Sequence, residues 1–110
     1  HRDVLERAEL RQQVVELEHE AQLGAALVDV RMPEEHAQRA IDGSINVPLY
    51  RLREDIAGAL PSGSRVVVYC NTGERSAAAA FVLKRLGYDV SALHGGLGAM
   101  LRLMAANTPA

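Results

Sequence analysis

One cysteine, no tryptophan, one phenylalanine and a single lysine stand in a chain of 110 residues. With one cysteine, Cys70, an intramolecular disulfide is impossible, so redox or transfer chemistry there takes an external partner. A lone thiol that reacts fits a reducing compartment, and a cytoplasmic location is expected. No apolar run approaches the roughly 20 residues that span a bilayer. The longest candidate, Ser76 to Leu83, makes about two helical turns, so no membrane partner is expected. Charge of one sign is also scarce. The formal net charge is −2, and the basic residues, all Arg except Lys84, are scattered. That balance gives no basis for a nucleic-acid partner. His1, His19, His36 and His94 are spread without metal-ligand spacing, and neither a metal nor a cofactor is expected.

What remains is ordinary globular material. Apolar residues make up 48% and charged residues 24% of the chain, which excludes disorder. The length suits one domain. The chain opens on His1-Arg2-Asp3, too charged to read as an export signal. Its lack of an initiator Met fits either a piece of a longer protein or a tag remnant.

From Val4 to about Gly24 the pattern is helical. Leu10, Val14, Leu17 and Ala21 fall on one face, among good helix formers. We divide the chain into this segment, 1–24, as a connector, and a domain over 25–110. The connector would lead to an upstream fused domain or pair with a second copy. Ala26 to Val30 reads as a short buried strand. Pro33, Glu34 and Glu35 suit the start of a short helix ending near Arg39. Residues 43–48 read as a turn and a very short strand, and Leu49 to Leu60 as a helix stopped by Pro61. Arg65 to Cys70 carries the strongest strand signal, Val-Val-Val-Tyr. A continuous apolar run of this kind suits a strand covered on both faces. Arg75 to Leu86 reads as a helix ended by Gly87, Tyr88 to Leu93 as a strand, and Leu97 to Ala106 as a closing helix. Alternating strands and helices predict an α/β domain with a mainly parallel sheet, whose ligands bind beyond the carboxyl ends of the strands.

Cys70 lies at that end of the strongest strand, followed by Asn71-Thr72-Gly73-Glu74-Arg75-Ser76 and then a helix. A tight loop running into a helix aims several backbone N–H groups at one spot and adds the helix dipole, so an anion is favoured there. Gly73 permits the turn. A thiol at the loop's first position has its thiolate stabilised and becomes nucleophilic near neutral pH. Arg75 adds a positive charge, and the hydroxyls of Thr72 and Ser76 could donate to a bound anion. The plain alternative is a small apolar residue closing a strand.

These stretches, in their order, resemble the rhodanese (sulfurtransferase) family from about Leu10 to Ala106. The likeness is carried by residues 27–31 (LVDVR), 43–48 (GSINVP), 66–76 (VVVYCNTGERS), 86–90 (LGYDV) and 93–96 (LHGG). The resemblance implies a three-layer α/β domain with a central, mainly parallel, five-stranded sheet flanked by helices. It implies that Cys70 attacks a sulfane sulfur donor such as thiosulfate or a persulfide. The resulting persulfide would pass its outer sulfur to a thiol or a cyanide-like acceptor, cradled by Asn71, Thr72, Gly73, Glu74, Arg75 and Ser76. It also makes Asp29 and Arg31 mainly structural. Related phosphatases use Cys-x5-Arg, and the shorter Cys-x4-Arg here favours sulfur over phosphate. The usual tryptophan after the double glycine is missing, and Met100 is expected in that space. His94 reads as a partly exposed loop residue. Beside turnover stands a second reading, a persulfide- or oxidant-sensing module that regulates a fused domain.

Overall fold

The computed structural model describes residues 16–93 and 95–98. The expectations for residues 4–15, for His94, for Met100 and for most of the closing helix lie outside the described residues. Helix α1 covers 16–22. Strand β1 is Ala26–Asp29, followed by helix α2, Pro33–Gln38, and strand β2, Ile45–Asn46. A 3-10 turn, Leu49–Arg51, leads into α3, Leu52–Ala59. Then come β3, Arg65–Tyr69, α4, Glu74–Arg85, and β4, Asp89–Ala92. The helix expected from Leu49 thus begins as a tighter turn directly after Pro48, whose ring fixes the entry to it.

All strand pairs are parallel, in the order β2-β1-β3-β4. Four strands are present among the described residues, not the expected five. The sequence itself holds four extended runs, and the chain before β1 is helical over 16–22, so its described part supplies no edge strand. Parallel pairing demands crossovers, and each here carries a helix.

Period-two alternation along β3 divides the core. Val66, Val68 and Cys70 face one side, where Val28, Leu52, Ile56, Ala79 and Leu83 complete a buried cluster under α3 and α4. Val67 and Tyr69 face the other side with Leu93 and Leu97, and Leu17 of α1 packs against them. The result is a sheet between two layers of helix, with Val28, Val66, Val68, Tyr69 and Leu83 wholly buried. Among the described residues no helix is long and apolar enough to cross a membrane.

The strand order sets where a site can form. From β1 the chain moves outward to β2, then returns to β3 on β1's other side and continues outward to β4. The direction reverses between β1 and β3, and connections there leave on opposite faces, opening a crevice at the strands' carboxyl ends. Asp29 and Tyr69 are paired across that point, so Val30 and Cys70 emerge side by side, followed by Arg31 and Asn71.

Candidate active site

Cys70 continues the parity of Val66 and Val68 and so points toward the start of α4. It is 1% exposed and forms the floor of the loop 71–76. Gly73, at φ +103°, occupies the cap position of α4 in a conformation that L side chains rarely adopt. It offers no side-chain cap. The sulfur takes that place: Sγ accepts the N–H of Gly73 at 3.0 Å and the N–H of Ser76, third residue of the helix, at 3.3 Å. Ser76 is itself buried, and its Oγ lies 3.5 Å from Sγ while donating to the Gly73 carbonyl at 3.0 Å.

Burial pushes the Cys70 thiol up. The hydroxyl of Ser76 and the N–H groups of Ser76, Gly73 and Thr72 together outweigh it, so the thiol sits below its ordinary value. Geometry therefore supplies a buried sulfur that accepts backbone N–H bonds at a helix amino terminus, where its thiolate form is stabilised.

A second clasp holds the loop from behind. Leu97 N–H donates to the Cys70 carbonyl at 2.7 Å, and Gly98 N–H to that of Asn71 at 3.2 Å. Gly96 lies against these carbonyls, and a Cβ there would stand 2.2 Å from the Cys70 oxygen. The double glycine thus permits the segment after β4 to pack on the backbone of the loop.

The candidate residues separate in space. Gly73 and Ser76 meet the sulfur directly, and Thr72 contributes its N–H while its side chain is exposed. Glu74 is exposed in the first turn of α4 and makes no ion pair among the described residues. Asn71 and Arg75 bond Glu35 and make no hydrogen bond to Sγ among the described residues. Arg75 Nη1 and Nη2 donate to Glu35 Oε1 and Oε2 at 2.6 and 3.0 Å, and Asn71 Nδ2 donates to Oε2 at 2.8 Å. Met32 N–H adds a bond to Oε1 at 2.9 Å. The Arg75 guanidinium leads these partners in holding the Glu35 carboxyl down at about 2. The reading of Glu35 as a helix-start residue holds but is incomplete, because its carboxylate also joins α2 to both ends of the loop. That contact spans 36 to 40 residues, and no local pattern could announce it.

Asp29 and Arg31 form the buried ion pair beside the loop. Arg31 donates Nε to Oδ1 at 2.9 Å and Nη2 to Oδ2 at 2.7 Å, and both residues are at most 3% exposed. Arg31 Nη1 also donates to Asn71 Oδ1 at 3.1 Å, and its guanidinium lies 5.6 Å from the centre of the Tyr69 ring. His36 Nδ1 approaches Asp29 Oδ2 at 2.9 Å. A polar cavity of about 410 Å³, lined by Arg31, Glu35, Gln38, Arg39, Asn71 and Leu97, opens beside this network.

A topological switch point, a helix-capping cysteine sulfur and a loop clasped from behind define a cysteine-centred anion site. Known proteins are similar to this chain in sequence and fold. The family model for the rhodanese-like domain matches residues 10–102. The thiosulfate sulfurtransferase PspE of Escherichia coli K12 is 42% identical over 71 residues, 64% of this chain and 68% of that protein. A rhodanese-related protein of Thermoplasma volcanium superposes with a TM-score of 0.65 at 32% identity, covering 83% of this chain and 87% of that one. Reduced CoADR-RHD of Bacillus anthracis gives a TM-score of 0.73 at 34% identity, covering 83% of this chain but 16% of that one. The chain belongs to the rhodanese family. By class it is a sulfurtransferase of the rhodanese type.

Proposed function

We propose that the protein moves a sulfane sulfur from a donor such as thiosulfate, or a low-molecular-weight persulfide, to a thiol or cyanide-like acceptor through a persulfide on Cys70. The observation that carries this reading is the set of backbone N–H groups converging on Sγ. In the first half-reaction the Cys70 thiolate attacks the outer sulfur of thiosulfate. An S–S bond to Cys70 forms, the bond to the sulfonate sulfur breaks, and sulfite leaves with that bonding pair. In the second, the acceptor anion attacks the outer sulfur and Cys70 departs as a thiolate, so no net proton or external electron is needed. The anion moves outward by one atom when the persulfide forms. Ser76 N–H, Gly73 N–H and Thr72 N–H, backed by the dipole of α4, are the groups we assign to hold it. Gly73 shapes the cradle, while Asn71 and Arg75 brace it from outside and Glu74 stands at its rim.

Support for the donor comes from the similarity to PspE, a thiosulfate sulfurtransferase. A reactive thiol without a partner cysteine also supports a cytoplasmic setting. We further propose the division of the chain into a connector, 1–24, and a domain, 25–110. Leu17 and the Glu20–Arg65 ion pair dock the connector's last turns onto the domain. The B. anthracis relative, of which this chain spans 16%, supports a fused domain over pairing with a second copy.

The test is steady-state formation of thiocyanate from thiosulfate and cyanide. Turnover that vanishes in Cys70→Ser is the expected result, and turnover that survives in it overturns the proposal.

A further inference from the structure

We propose that Glu35 is a specificity-determining residue: by binding Arg75 it withholds a positive charge from the mouth of the site and disfavours doubly charged sulfur donors. This inference rests on the sulfur-transfer reading above. The four bonds accepted by Glu35 occupy both of its oxygens, and two of them take the fork of Arg75 in bidentate fashion. Arg75 is the second residue of α4, next to Ser76, whose N–H meets Sγ. Without Glu35 its guanidinium would be the nearest mobile cation to the reacting sulfur. With Glu35 its charge is cancelled at contact distance.

The neighbouring cation is treated in the same way. Arg31 is closed against Asp29, leaving Arg39 as the one cation lining the polar cavity with no ion pair among the described residues. Glu74, exposed at the rim, adds a negative charge. The surroundings of Cys70 therefore carry paired charges, and attraction for an anion falls mainly to neutral backbone dipoles. Such a field discriminates weakly between one and two negative charges, whereas a free Arg75 would reward the second charge.

Charge therefore distinguishes the donors. Thiosulfate is a dianion and methanethiosulfonate a monoanion, and both deliver a sulfane sulfur with a sulfur oxyanion as leaving group. Glu35→Gln keeps the side chain's size and removes its charge. It should lower KM for thiosulfate about fivefold, a Coulomb effect of near-surface size, and KM for methanethiosulfonate about twofold. The double variant Glu35→Gln/Arg75→Gln, which lacks both charges, should return both KM values to near those of the unmodified protein. Arg75→Gln alone, leaving Glu35 unopposed, should raise KM for thiosulfate more than for methanethiosulfonate.

A merely structural Glu35 would loosen the loop and raise KM, or lower kcat, equally for both donors. That result, an unchanged KM for thiosulfate, or a double variant whose KM for thiosulfate is as low as that of Glu35→Gln, overturns the inference and leaves the sulfur-transfer reading intact. Absence of turnover with either donor in the unmodified protein would instead overturn the underlying function.

Discussion

Gly96 lies against Cys70 so closely that a Cβ on it would stand 2.2 Å from the Cys70 carbonyl oxygen and 2.6 Å from that of Asn71. Both atoms are backbone, held by Leu97 and Gly98 N–H groups, so neither can swing aside. Gly96→Ala should therefore displace the loop, at a loss of about 3 kcal/mol from overpacking and a left-handed backbone. Urea unfolding would measure it, and a change below about 0.5 kcal/mol, typical of an unconstrained surface site, would contradict the packing described.

Ser76→Ala separates the hydroxyl from the backbone donors. The Ser76 N–H remains on Sγ, but the hydroxyl is lost, which accepts from the Cys70 thiol and must turn from the Gly73 carbonyl to donate to the thiolate. Cys70 should then titrate higher, and its alkylation by iodoacetamide at neutral pH should slow by about fivefold, the effect of one charge-assisted hydrogen bond. Stability should fall by only about 1 kcal/mol, for the bond to the Gly73 carbonyl. An unchanged alkylation profile would remove Ser76 from the account of the thiolate.

The two arginine pairs should behave oppositely. Removing Asp29 leaves the buried Arg31 guanidinium uncompensated, and Asp29→Ala should cost about 3–5 kcal/mol. Arg51–Asp55 is an i,i+4 pair in open solvent, so Asp55→Ala should leave the unfolding midpoint unchanged within error. Equal effects in the two variants would show that burial does not govern these pairs.

Acid should release the Glu35 clasp in a defined window. The folded-state carboxyl lies at about 2, below its ordinary value of 4.5, so its contribution is present above about pH 4.5 and is lost as pH falls toward 2. The stability difference between the unmodified protein and Glu35→Gln should therefore shrink across that window. A difference independent of pH there would mean that Glu35 is not ionised against Arg75.

Much of the fold was legible because its signals are local. The Val66–Val68 run, Gly73 and the helix behind it lie within about twenty residues, and together they place Cys70 at a strand end under helical N–H groups. Spacing alone could not show where Arg75 points. Cys-x4-Arg suggested a charge offered to the bound anion, and the side chain instead closes on Glu35, 40 residues away. The same holds for Gly96, whose need to be glycine comes from a backbone 26 residues earlier in the chain. The fifth strand followed from resemblance, not from any extended run in this sequence.

The most direct test of a sulfur-carrying Cys70 is the intact mass of the protein after incubation with thiosulfate and removal of excess donor. The account predicts a gain of one sulfur atom per chain, absent in Cys70→Ser and reversed by cyanide. A gain that persists in Cys70→Ser, or no gain in the unmodified protein, would contradict it.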